Sequence, residues 1–232
     1  MSALSNVKVV SPTYQVEIPS TKEKKSFRPF RVGDEKVLLM AAESKDRGQM
    51  TRSLKQVVGN CVEGVDVDKL ASFDLEYLFL QLRSVSVGET SKISLPCKNC
   101  ETRNDVEVDI SKVKVIEEEK HTKTILLGDN LVLEMRYPDI DDISKTEDGI
   151  EGILDLICKS VKTVFYGEET ITITPAEHAD LKGIIEQLTT NQFQNVQDFF
   201  ATMPKLREDI DFKCSECGHE NSTPLEGMAS FF

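Results

Sequence analysis

Two short cysteine motifs constrain this chain more than any other feature. Cys97-Lys98-Asn99-Cys100 and Cys214-Ser215-Glu216-Cys217 lie far apart, and Gly218 and His219 follow the second directly. Cysteines three residues apart can face one ion from a tight turn, and four of them make the tetrahedral sulfur cage that zinc prefers. If both pairs serve one site, the segment of roughly 113 residues between them must leave and return, closing a long loop. The expected ligands are Cys97, Cys100, Cys214 and Cys217, with a structural zinc as the cofactor. Four sulfurs leave no open coordination position for catalysis, and His219 is a weaker substitute ligand. A redox C-x-x-C is disfavoured because neither pair opens the helix of a βαβ unit. Cys61 and Cys158 fall on apolar helical faces and read as buried core.

The rest of the chain arranges itself around these motifs. Residues 1–30 read as an extended N-terminal arm, punctuated by Pro12, Pro19 and Pro29, with strand-like alternation over 14–18 and a charged turn over 20–25. Residues 31–92 read as helical. Asp34 can cap a first helix; Met50, Leu54, Val57, Val58 and Cys61 line a second; Leu75, Leu78, Phe79 and Leu82 line a third that ends at Gly88. The stretches 93–110 and 208–227 together make a split zinc-ribbon-like β module, its first half a hairpin of 93–95 with 106–110.

Residues 111–207 form an inserted α+β region. It opens with a hairpin around Gly128-Asp129-Asn130 and an acidic loop over 138–151. One helix is expected over 150–165, a short strand over 170–174, a helix opened by Pro175, and a last helix capped by Asn191. Residues 228–232 are an apolar C-terminal tail. The fold class is α+β: a helical N-terminal region plus a zinc-ribbon-like β module split by a mixed α/β insertion. No internal repeat and no low-complexity segment stands out.

Charge and composition narrow the function classes. The 232 residues carry a formal net charge of -12, which argues against broad binding to nucleic acid or anionic membranes. No run of about 18 apolar residues offers a membrane span. The first ten residues lack the apolar region of a secretory signal. Six cysteines, four of them in the two pairs, fit a reducing compartment with bound metal, so a soluble, acidic, intracellular protein is expected. A zinc-ribbon module acting on transcription machinery or nucleic acid is the alternative. However, Glu101, Asp105, Glu216 and Glu220 outnumber Lys98, Arg103 and Lys213 around the knuckles. The acidic loop at Asp139, Asp141 and Asp142 lacks calcium-loop spacing, and His121 and His178 stand in no catalytic motif, so the expectation is not an enzyme. The terminal Phe231 and Phe232 either fold back beside the second hairpin or enter a partner's pocket, which makes them candidate partner-binding residues.

Several stretches together carry a family resemblance. They are Ile18-Pro19-Ser20-Thr21, then Phe27-Arg28-Pro29-Phe30-Arg31-Val32-Gly33-Asp34, and Leu82-Arg83-Ser84-Val85-Ser86-Val87-Gly88. The two cysteine pairs and Phe231-Phe232 complete the set. Over nearly its whole length the chain resembles the T4-type bacteriophage baseplate hub proteins. That resemblance implies a structural or assembly role beneath the tail tube, in the host cytoplasm during assembly and in the virion tail baseplate. The implied partners are other hub, spike or tape-measure proteins, and the hub setting also admits a homo-oligomer.

Overall fold

A computed structural model describes residues 10–231, and every element below belongs to those described residues. The alternating stretch near the N-terminus folds as an antiparallel hairpin, β1 (Tyr14–Glu17) against β2 (Lys24–Phe27). Val16, Ile18 and Phe27 of this hairpin are buried against α1 (Val32–Ser44), α2 (Arg47–Cys61) and α3 (Ser72–Val87). The expected extended arm is therefore, from Tyr14 onward, part of the helical body, while residues 1–9 lie outside the described part. Asp34 lies in the first turn of α1, three residues past the N-cap Arg31. There its carboxylate accepts the Arg31 N–H at 2.9 Å and pairs with Arg28 at 2.8 Å. The side chain of Asp46 caps α2 by accepting the Gln49 N–H at 2.6 Å.

The third helix is apolar on two faces because it is buried on two sides. Leu75, Leu78, Phe79 and Leu82 enter the first core, and Phe73 and Leu80 enter another. After Gly88, β3 (Thr90–Pro96) and β4 (Arg103–Asp109) form the predicted hairpin, followed by a short β5 (Lys114–Ile116).

The insertion carries a core of its own. Its strands β6 (Thr124–Leu126) and β7 (Leu131–Met135) flank the Gly128 turn as expected. The acidic loop holds a short helix, α4 (Ile140–Ser144), because Asp139 and Asp142 make a reciprocal capping box. The single helix expected over 150–165 is instead α5 (Ile150–Ser160) followed directly by strand β8 (Val161–Tyr166). Val161, Thr163, Val164, Phe165 and Tyr166 are β-branched or aromatic, and they pair with β7 on one side and β9 (Glu169–Thr172) on the other. Then come α6 (His178–Glu186) and α7 (Thr190–Thr202). Thr189, not Asn191, caps α7, in a capping box with Gln192. Leu133, Ile157, Leu181, Ile185, Val196 and Phe199 fill this second core.

The chain then returns in β10 (Lys205–Lys213) and β11 (Glu220–Glu226), an antiparallel hairpin whose other edge pairs with β5. The third core joins both hairpins to α3 through Leu80, Leu95, Val108, Ile110, Leu206 and Leu225. Seven helices and four small sheets thus make a mixed α and β architecture among the described residues. None of those helices is long and apolar enough to cross a membrane.

Candidate metal centre

Each cysteine pair sits at the tip of one hairpin. Strand pairing runs up to Pro96 opposite Arg103 in the first and to Lys213 opposite Glu220 in the second. Beyond those pairs the chain turns in the same way twice. The Cys97 N–H donates to the Thr102 carbonyl at 2.9 Å and the Glu101 N–H to the Cys97 carbonyl at 2.9 Å. In the second tip the Cys214 N–H donates to the His219 carbonyl at 2.9 Å and the Gly218 N–H to the Cys214 carbonyl at 3.0 Å. Both turns need one left-handed residue, Glu101 at φ 60° and Gly218 at φ 71°.

The two tips face each other, and their four Sγ atoms all lie within 4.8 Å of one another. Cys97 and Cys217 approach to 3.7 Å and Cys100 and Cys214 to 3.6 Å, far beyond a covalent S–S bond. Zinc–sulfur bonds of about 2.3 Å in a tetrahedron put neighbouring sulfurs about 3.8 Å apart. The donor set and its spacing therefore fit a tetrahedral thiophilic cation. Cys97 and Cys214 are buried at 1% and 3% exposure, and Cys217 lies on the open side. His219 takes part through its backbone carbonyl and is outside the four-cysteine group.

Hydrogen bonds prepare two of the sulfurs, those of Cys97 and Cys214, for charge. The Cys214 thiol is brought down to about 6, first by the Cys217 backbone N–H and, against burial, by Glu216, Cys100 and Asn104. Burial acts most on Cys97 and pushes it up, but the Asn99 and Cys100 N–H groups and the Asn221 side chain outweigh it, leaving this thiol lowered. Cys100 is held up at about 11. Its bonds with Thr102 pull it down, and the neighbouring Cys217 and Cys214 together with burial overcome them. In such a crowded set the thiol that accepts its neighbour's S–H is lowered and the thiol that donates is raised, unless a cation sits among them.

The similarity of the tips extends into the sequence. Residues 97–104 and 214–221 both read C-x-x-C-x-x-x-N, ending at Asn104 and Asn221. Ile93, Leu95 and Val108 occupy the positions of Ile210, Phe212 and Leu225, and all six belong to or pack on the third core. The chain therefore does contain an internal repeat, contrary to the expectation from sequence. The repeat is short, is interrupted by the whole insertion, and shares few identities outside the cysteines. The asparagine seven positions after each first cysteine was the signal that could have shown it.

The remaining residues flagged in the sequence are otherwise engaged. Cys61 and Cys158 are buried core thiols, each pushed up to about 11 by burial. Asp142 pairs with Arg136 at 2.8 Å, and Asp141 pairs with Lys55. His121 stacks on Tyr137 and lies against Phe199, with ring centroids 5.6 and 5.2 Å away. Phe231 takes the fold-back alternative. It is fully buried in the third core, and its backbone carbonyl accepts the Ser91 hydroxyl at 2.8 Å. Phe232 lies outside the described residues.

These features define an α+β protein whose C-terminal half is closed on itself by four convergent cysteines. Residues 11–232 match the family model described as T4 bacteriophage base plate protein, and the chain belongs to that family. No curated protein and no solved structure matches it. The family makes it a structural protein of a phage baseplate, a component of the virion tail among other tail proteins.

Proposed function

We propose that this chain is a structural or assembly subunit of the baseplate hub, working by docking preformed surfaces, with a structural zinc held by Cys97, Cys100, Cys214 and Cys217. The observation that carries the zinc reading is the sulfur geometry, with approaches of 3.6 and 3.7 Å between cysteines of opposite hairpins. Bound there, zinc would neutralise converging thiolates and complete a cage with no position left for substrate. The work is contact rather than catalysis. The partners in this reading are hub, spike or tape-measure proteins, met in the host cytoplasm before incorporation into the tail. Supporting the docking part, an apolar groove of about 390 Å³ opens between Phe30, Leu38, Leu39, Met50, Val87 and Met228. Within its lining Leu39 and Val87 are 59% and 64% exposed.

Two measurements test the proposal. Metal analysis of the purified chain is expected to give about one zinc per chain, lost in the Cys97→Ser/Cys100→Ser double variant. Zinc retained by that variant refutes a shared site. Co-purification with tail hub components is expected, and salt-sensitive DNA binding with no tail partner would overturn the hub assignment.

A further inference from the structure

The two asparagines that end the repeated motif are wired across the site, not along it. Asn104 belongs to the first hairpin, yet its Oδ1 accepts the Ser215 N–H of the second at 2.8 Å and the Ser215 hydroxyl at 3.0 Å. Its Nδ2 donates to its own Thr102 carbonyl at 2.8 Å and to Cys214 Sγ at 3.7 Å. Asn221 mirrors this arrangement. Its Oδ1 accepts the Lys98 N–H at 2.9 Å, and its Nδ2 donates to the His219 carbonyl at 3.0 Å and to Cys97 Sγ at 3.6 Å. The carbonyl on one side and the N–H on the other fix which end of each amide is nitrogen. Both side chains are buried, at 7% and 4% exposure, and no other side-chain type offers one acceptor and two donors in this compass.

We propose that Asn104 and Asn221 are a reciprocal pair of positioning residues, each holding the first cysteine of the opposite knuckle by an N–H···S bond while gripping the backbone beside it. The consequence is that neither knuckle is complete without the other hairpin's asparagine. The pair converts two separate C-x-x-C turns into one four-sulfur site related by an internal twofold. A donor at a coordinated sulfur stabilises the thiolate and fixes its orientation, and loss of such outer contacts typically costs about 10–100-fold in metal affinity. This inference rests on the four-thiolate site proposed above. It concerns what shapes that site rather than whether it exists.

The test uses the full chain loaded with cadmium, cobalt(II) or zinc alone. In a proton–cadmium correlation spectrum of the wild type, the side-chain amide protons of Asn104 and Asn221 are expected to couple to the ion through sulfur. Coupling from backbone amides only would overturn the proposal without any variant having to fold. Asn104→Asp and Asn221→Asp separate the two roles, since a carboxylate keeps the acceptor and loses the donor. Each is expected to weaken zinc binding by about 10-fold or more, as much as the alanine variant does, and to shift the sulfur-to-cobalt charge-transfer band. Wild-type affinity and an unshifted band in both aspartate variants would reduce the asparagines to backbone props. If the wild type takes up no zinc at all, the stoichiometry shows it first, and it is the four-thiolate site that falls.

Discussion

Replacing Phe231 by alanine separates two uses of the chain's end. Phe231 is fully buried among Leu80, Leu95, Val108 and Leu225, where α3 meets both hairpins. A fully buried phenylalanine truncated to alanine costs about 3–5 kcal/mol, the sum of lost transfer energy and the cavity left behind. For a chain of this size each kcal/mol moves the midpoint by about 2–4 °C, so Phe231→Ala should lower Tm by about 10 °C. The Ser91 hydroxyl still finds the backbone carbonyl of residue 231, so the loss is one of packing and not of a stranded donor. Thermal unfolding of the purified variant beside wild type measures it. Leu39→Ala serves as a control, because Leu39 is 59% exposed and its loss should stay within about 0.5 kcal/mol. A docking residue predicts the opposite pattern: unchanged stability of the isolated chain and lost partner binding. An unfolding midpoint within 1–2 °C of wild type, roughly a single small surface effect, would refute the fold-back argument.

The repeated knuckle supplies a matched pair of backbone predictions. Glu101→Gly relieves a side chain held at φ 60° and should stabilise by up to about 1 kcal/mol, whereas Gly218→Ala at φ 71° should cost about 1 kcal/mol, both read by denaturant unfolding. His121 is lowered from its ordinary 6.5, chiefly by burial, so the folded chain resists the proton that the unfolded chain accepts. Stability is thus full above about pH 6.5 and lost as pH falls through that value toward the lower folded one; His121→Phe should flatten this part of the stability–pH curve, and an unchanged slope would dismiss the histidine as its source. On the zinc reading, a strong chelator should expose the tips around 98–104 and 214–221 to hydrogen exchange while the insertion's own core stays protected; uniform exchange throughout would show one cooperative unit instead.

What the sequence made legible follows from the range of the forces involved. The hairpin of β3 and β4, the turn at Gly128 and the apolar faces of α2 and α3 are local patterns, and the structure keeps them. The convergence of the four cysteines was legible because two C-x-x-C pairs are a restrictive pattern for one shared cluster. The α5–β8 junction was not, since Val161 continues the apolar spacing of α5 and only pairing with β7 decides where the helix stops. Nor could Tyr14–Glu17 be told from a free arm without knowing that Val16 and Phe27 find α2 and α3. Asn104 and Asn221 look like ordinary turn residues in sequence, because their partners lie 111 and 123 positions away.

Two of the family-marking segments form a joint that also borders the apolar groove. The Phe30 N–H donates to the Ser86 hydroxyl at 2.8 Å, and the Phe30 ring lies 5.8 Å from Phe79, so the Arg28-Pro29-Phe30 and Ser84-Val85-Ser86 stretches meet in space. The C-terminal end makes a second joint. Met228 lines the apolar groove and packs on the first core, its N–H donates to Glu76 of α3 at 3.1 Å, and Phe231 enters the third core one turn later. One short turn therefore touches the proposed docking groove and the core beneath the cysteine cluster at once. Because α3 is buried on both faces, a shift of the hairpins cannot be absorbed on one side alone without opening space on the other. The groove and the core beneath the cysteine cluster thus share one helix and one turn, so packing at either is felt by the same two elements.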